Sequence, residues 1–599
     1  MTHEAASLYF CLQASILMKQ FGGEILRDTT FAKTSSEPSR MKHLLPIAIF
    51  SLFLSGLNAQ NSSRITGNLQ TNGNFFIKNA AIGAVGLPQY DFQKFGAESW
   101  LGLNYSNWGF DVGVRFDLFN NSNLLNPTGS FTKEGIGRWY VHKQLDKFDF
   151  SGGYLYDQIG SGIIFRAYEE RSLMIDNALF GVKVGYSIND NWKIKAFTGR
   201  QKRQFDIYGS VIRGGAVEGF IKPDSTKNFS LAPGAGVVAR TFDDETVNRI
   251  VNEIATYAPQ DSTGAQYNTY AMTVYNTMTA GDFSWYMEGA YKTKDVLFNE
   301  FLTKVNGGTG KLVNTDGYMA YTSITYAKKG LGITLEAKYN KNFRFRTDPF
   351  QIGVQGQMNF LPPIARQNTF RLPSRFSPNT QELGERGFQL DAKYALNKKI
   401  SLGINVSDIS NLDGVELYRE IAPEITYKKD RKWQALLGLQ FLKYNISVYQ
   451  LKDDPEDVDD IIPWVKKGEK GYVDAFTPYG EWLYKFTPRK SLRVEAQYLL
   501  TDDEFGSWVN ALAEFGWAPH WLVYISDMYK IKHSEEGVPE EKKRFDGIHY
   551  PTFGIVYTYR ANRVSLAYVK QVEGINCAGG ICRYEPTFHG VRLNISSSF

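Results

Sequence analysis

The sequence has 599 residues, among them 41 Phe, 35 Tyr, 11 Trp and 55 Gly but only 3 Cys, with a mean hydropathy of −0.32. After residue 60 no stretch approaches the ~18 consecutive apolar residues of a membrane-spanning helix, which excludes a polytopic helical membrane protein. Charge is nearly balanced, 67 basic against 62 acidic residues, so no strong field for polyanions is expected, and nucleic acid is not an expected partner.

The N-terminal region carries an address. Met41-Lys42-His43 opens a basic segment, Leu44 to Leu54 follows as an apolar run, and Ser55 to Ala59 supplies small residues for cleavage before Gln60. This is the anatomy of a secretory signal over 41–59, too short to span a bilayer. Residues 1–40 then read as an extension from a start codon placed too far upstream, the alternative being a folded N-terminal helix. No Cys follows the apolar run, so a lipid anchor is not indicated.

From there on the dominant pattern has period two. Phe388, Leu390, Ala392, Tyr394 and Leu396 alternate with polar residues, turn at 397–399, and give way to Ile400, Leu402, Ile404 and Val406 in the same alternation. One face is apolar and the other polar, on two strands joined by a tight turn. The unit recurs around the turns at 106–107, 189–191, 328–330, 518–520 and 560–562, with weaker copies near 143–147, 279–282, 428–432 and 487–490.

Three features separate a membrane barrel from a soluble sandwich. Short turns alternate with long polar connections at 119–135, 201–268, 293–316, 347–386, 450–478 and 530–550, as periplasmic turns alternate with extracellular loops. Aromatic residues such as Trp192, Trp433, Phe486, Trp517, Trp521 and Tyr559 gather beside the short turns, where an interfacial girdle belongs. The chain ends in a strand with Val591, Leu593, Ile595 and Phe599 on one face, resembling the terminal signal read by the outer-membrane insertion machinery.

The expected fold is therefore all-β: a large transmembrane antiparallel barrel over 60–599, of about 22 strands. Closure pairs every backbone group inside the protein, as lipid demands. Charges such as Asp111, Arg115, Lys338 and Asp391 fall on the alternate face, which predicts a wet interior, because Lys or Arg at the lipid midplane costs roughly 2–4 kcal/mol. Alternation begins soon after the signal, so no plug domain precedes it. A lumen of this width is narrowed by loops, filled by a partner, or open.

The candidate chemistry is sparse. Cys577 and Cys582 lie close in sequence in an exported chain, as a short-loop disulfide or as two free thiols. Val247, Ile250, Val251 and Ile254 have helical spacing, with Asp243, Asp244 and Glu245 at the start and Thr241 or Asp243 as cap. That stripe packs on its own loop, lids the lumen, or docks a partner. Arg166, Glu169, Glu170 and Arg171 form either an internal ion-pair network or a constriction. The acidic run 452–460 lacks the spacing of a calcium loop and reads as solvated. The basic turns meet lipid phosphates or are simply solvated. Seven His are scattered, no nucleophile elbow occurs, and Gly307 to Lys311 fails as a phosphate loop because Leu312 replaces Ser or Thr. No catalytic residue, metal or cofactor is predicted.

Leu361 to Leu372, Ser377 to Glu385 and Gly160 to Gly181 resemble recurrent segments of a poorly characterised outer-membrane β-barrel family of Bacteroidota-type envelopes. The resemblance implies fold and outer-membrane location, and no site residues. The expected function is a porin-like channel or loop-gated pore for small polar solutes. The alternative is a non-catalytic barrel subunit of an envelope secretion or assembly machine, presenting 201–268 and 347–386 to protein partners.

Overall fold

The computed structural model describes residues 64–126, 129–223, 228–351, 353–449, 471–533, 543–578 and 581–599. The extension 1–40, the signal 41–59 and the acidic run 452–460 lie outside the described residues, as do the side chains of Cys577 and Cys582.

The described chain forms one antiparallel sheet of 24 strands. Arg64–Phe76 pairs on one side with Phe95–Asn107 and on the other with Phe588–Ser598, so the sheet closes on itself. Every other barrel strand pairs with its sequence neighbours. The expected 22 strands are corrected to 24, and the missing pair lies in 201–268. That segment is not one loop: it holds the strands Asp206–Gly219 and Phe229–Thr241. Glycine and Pro233 interrupt the apolar alternation there. Neighbouring rings supply the missing side chains. A Cβ on Gly214 would lie 2.3 Å from the Phe197 ring, and one on Gly234 2.2 Å from Tyr275. Aromatic cover of strand glycines from an adjacent strand is a known stabilising device.

Elsewhere the alternation sorts as the pleat requires. On Phe110–Ser122, Phe110, Val112, Phe116 and Leu118 are exposed on the outer face, while Arg115 and Asp117 are buried inside. Lys338 is likewise buried in the lumen, 2.5 Å from Glu385. The outer surface carries large exposed apolar side chains on almost every strand. Such a continuous patch far exceeds what a water-soluble monomer exposes. Among the described residues no helix is long and apolar enough to cross a membrane.

The two ends differ. Arg64 and Phe599 lie at the end that carries the tight turns, together with the exposed rings of Trp108, Phe486, Trp517, Trp521 and Tyr559. The connections 77–94, 156–178 and 242–267, the described residues of 342–383, and residues 446–449, 531–533, 543–548, 572–578 and 581–587 all lie at the opposite end. There the hairpin Phe283–Thr303 and Thr309–Lys328 outruns its neighbours, since pairing to Asn268–Ala280 stops at Lys292.

Candidate functional site

The lumen is bridged by the chain itself. Segment 342–383 leaves one barrel strand, crosses the interior and rejoins the next. Near Gln357 it lies against the seventh strand, Trp192–Arg203, where Gln201 Nε2 donates to the Gln357 carbonyl at 2.6 Å. Near Arg375 it lies against the twentieth, Trp508–Trp517, with the guanidinium 4.7 Å from the Trp508 ring. Strands seven and twenty of a closed ring of 24 are on opposite walls.

The first wall grips the segment by its backbone. Ser210 Oγ donates to the Thr347 carbonyl at 2.6 Å, Arg240 to the Arg346 carbonyl at 2.9 Å, and Lys292 Nζ to the Arg344 carbonyl at 2.5 Å. These wall residues point inward by strand alternation. Asp295 joins the two cations, 2.7 Å from Arg240 and 2.8 Å from Lys292, with all three side chains at most 1% exposed. A carboxylate shared by two dry cations, each also held by a carbonyl, meets the requirement that buried charge be paired and hydrogen-bonded. Three of the segment's own charges are paired here: Arg344 binds Glu300 at 2.8 Å, and both Arg344 and Arg346 reach Glu382 at 2.9 Å. Together with Gln357 and Tyr449 these groups line a cavity of about 190 Å³.

The second wall also holds the segment through side chains. Gln497 accepts from Leu372 N at 2.8 Å, Gln440 donates to the Pro373 carbonyl at 3.1 Å, and Asn368 donates to Glu420 at 3.2 Å, while Arg366 pairs with Glu424. Among the described residues, Asn405 Nδ2, Glu420 Oε2, Gln440 Oε1 and Thr477 Oγ1, on four successive strands, are buried without a hydrogen-bond partner, as are Arg240 Nε and Arg346 Nε at the first wall. Each such atom carries a desolvation cost of about 1–3 kcal/mol.

Segment 156–178 fills the space beside the first wall. Its backbone joins the larger segment through Arg166 N to the Met358 carbonyl and Phe360 N to the Gly162 carbonyl, both at 2.9 Å. Ile159, Ile163, Ile164 and Phe165 pack on inward residues of the wall, including Phe197, Ile212 and Val238. Glu288 pins the turn from the wall, accepting from Ser161 N at 3.0 Å and Ser161 Oγ at 2.6 Å. Gly160 and Gly162 have φ of +56° and +101°, which a side chain would oppose.

The four charged residues singled out from the sequence lie on this segment and do different things. Glu169 binds Arg171 at 2.8 Å and Arg115 on the wall at 2.7 Å. Arg115 also binds Asp117 and Asp176 at 2.6 and 2.8 Å, and Asp176 in turn takes Lys202. Arg166 instead stacks between Tyr168 and Phe360, 4.4 and 4.2 Å from the ring centroids. Glu170 accepts from Ser172, closing the local turn. The structure therefore joins Glu169 and Arg171, and gives Arg166 and Glu170 separate neighbours.

The helix in the other long connection is Asp244–Ala255, capped by Asp243, which accepts from Thr246. Val247, Ile250 and Ile254 are buried against Phe242, Tyr257, Val296 and Leu312, while Val251 stays exposed. Arg249 ties the helix to the lumen segment at Asp348, 3.0 Å away. Just beyond it, Lys311 at 2.6 Å and Val305 N at 2.7 Å hold the Asp261 carboxyl below the usual carboxylate range. Within 347–386, Met358, Ile364 and Leu372 are buried inside the barrel.

The matched family covers residues 41–599, nearly all of the chain and every strand just described. The chain belongs to DUF6029, a family of unknown function. No curated protein matches it. Among solved structures it is similar to the P pilus usher (PapC) translocation pore, at 8% identity and TM-score 0.38, covering 89% of this chain and 99% of that one. It is also similar to a ferric enterobactin receptor (PfeA) mutant from Pseudomonas aeruginosa, at 8% identity and TM-score 0.37, covering 90% and 81%. The ferric-catecholate import receptor Fiu from E. coli K12 gives 10% identity and TM-score 0.36, covering 90% and 82%.

Sequence reasoning missed Gln201, Arg240, Lys292, Asp295 and Glu420. Gln201, Arg240 and Asp295 fell in stretches read as connections, a register shift brings Asp295 to the face of Lys292, and a lumen charge looks the same whether it faces water or a folded-in segment.

Proposed function

We propose that this protein is a loop-gated pore of the bacterial outer membrane, closed at rest by its own segments 156–178 and 342–383 and passing small polar solutes when 342–383 leaves the second wall. The observation that carries this reading is that the segment bridges two opposite walls through polar contacts made beside apolar packing. Polar seats rehydrate when they part, so they suit a closure that opens. The dry cluster of Arg240, Lys292 and Asp295, which holds two backbone carbonyls of the segment, favours release at the second wall instead of the first.

Export by a signal at 41–59 fits this reading, as does a Gram-negative, Bacteroidota-type envelope, which the sequence resemblance supports. Val591, Leu593, Ile595 and Phe599 would serve the insertion machinery. Cys577 and Cys582 are proposed to form a disulfide; their backbones are register partners on the hairpin Gly574–Ala578 and Ile581–Glu585. In the closure Glu169 ties 156–178 to Arg115 and Arg171 ties it to Gln70. The role is non-catalytic.

The test is single-channel recording on the purified barrel and on an Asn368→Cys/Glu420→Cys variant treated with a short bis-methanethiosulfonate. Brief openings that the cross-link abolishes and reductant restores support the gate. Openings indifferent to the cross-link overturn this gate. A barrel that never conducts favours the scaffold alternative, for which the internally bridged lumen is the specific support.

A further inference from the structure

The turns at the short-turn end are not alike in charge. Those at 329–330, 396–399, 430–432, 488–489 and 560–561, with their flanking residues, carry clustered Lys and Arg against a single acid, Asp430. They occupy one continuous half of the rim, interrupted only by the turn that holds His520. On the other half, at 108–109, 146–147, 190–191, 220–228 and 281–282, acids match bases. The cations of the basic half are exposed, and among the described residues none of them is paired with a carboxylate.

Depth separates a lipid from a soluble partner. These turns are two to four residues long, so at about 3.3 Å per residue they hardly rise above the last strand residues. Lys490 is the register partner of Trp517, and its Nζ lies 5.2 Å from that exposed, outward ring. The Arg560 guanidinium lies 5.3 Å from the equally exposed Tyr559 ring. Lys429 is register-paired with Trp433 in the same belt. Aromatic belts mark headgroup depth, and a cation that lies over such a ring on the outer face reaches phosphate before it reaches bulk solvent.

We infer that this half of the rim binds anionic phospholipid headgroups of the adjoining leaflet, gathering a local arc of acidic lipid that the opposite half does not hold. Cationic residues at a membrane surface attract acidic lipid within a Debye length. The inference rests on the membrane-barrel reading, and its test keeps the two apart. Insertion of the full barrel into phosphatidylcholine nanodiscs tests the barrel alone. Native mass spectrometry of protein released from mixed phosphatidylcholine and phosphatidylglycerol nanodiscs then reads the headgroups retained.

Phosphatidylglycerol should be retained about tenfold over its share, and 1 M salt, with its Debye length of about 3 Å, should abolish the excess. The variant Lys399→Ser/Lys429→Ser/Lys432→Ser/Lys490→Ser should lose it, and Lys147→Ser/Lys193→Ser/Lys222→Ser should keep it. Equal retention of both lipids by the wild-type barrel overturns the inference, including in favour of an acidic soluble protein. So does an excess that the two variants lose alike.

Discussion

Gly67 and Phe599 close the barrel together. Gly67 N donates to the Phe599 carbonyl at 2.7 Å and Phe599 N donates back to the Gly67 carbonyl at 2.9 Å, while the Phe599 ring lies so near Gly67 that an added Cβ would stand 2.3 Å from it. The last residue thus covers a glycine on the first strand, at the one seam whose partners lie at the two ends of the barrel sequence.

That contact makes Gly67 intolerant of a side chain. We expect Gly67→Leu to displace the Phe599 ring, cost about 1–3 kcal/mol as overpacking does, and weaken the seam. The compact form in unheated gel samples should convert to the unfolded form at lower temperature than wild type. Phe599→Ala with Gly67→Leu should recover part of the loss.

Buried carboxylates on the two walls should respond in opposite ways. Asp295→Asn leaves Arg240 and Lys292 buried with no counter-charge, for an expected loss of about 3–5 kcal/mol in denaturant unfolding. Among the described residues, Glu420 accepts from the neutral amides of Asn368 and Gln440 on one oxygen and has no partner on the other. Its replacement by Gln should be neutral or stabilising, since a neutral amide is cheaper to bury than a carboxylate.

The first wall should hold the segment even when the second releases it. Thr347 Oγ1 donates to Gln201 Oε1 at 2.8 Å. A cross-linked Gln201→Cys/Thr347→Cys variant should therefore conduct like wild type, whereas the cross-link at 368 and 420 should silence the pore. Silencing by both would place the movement across the whole segment.

Asp261 gives a pH signature at the long-loop end. The Lys311 side chain and the Val305 amide lower its pKa, so its contribution is present above the ordinary aspartate pKa of about 3.9 and is lost only as pH falls through the depressed folded value. Protease susceptibility of 256–267 should stay flat from pH 7 to about 4 and rise below that range. In Asp261→Asn it should be raised throughout.

Much of the architecture was readable because period-two alternation is a local property. Phe388 to Val406 declares its two faces whatever surrounds it, and the tight turns and the aromatic belt are equally local. The hairpin Asp206–Gly219 and Phe229–Thr241 escaped because glycines at 214 and 234 leave their faces to Phe197 and Tyr275, which belong to other strands. Within the lumen, the sequence offered Glu169 and Arg171 as neighbours, while Arg166 and Glu170 were drawn off to Phe360 and Ser172.

By itself, then, the sequence determined a strand-built chain with an oily and a polar side, because alternation is written residue by residue. Only the tertiary structure decided what the polar side faces. The grip of Arg240 on Arg346 spans 106 residues and that of Gln497 on Leu372 spans 125. Closure of the ring sets both distances, and no spacing along the chain encodes them.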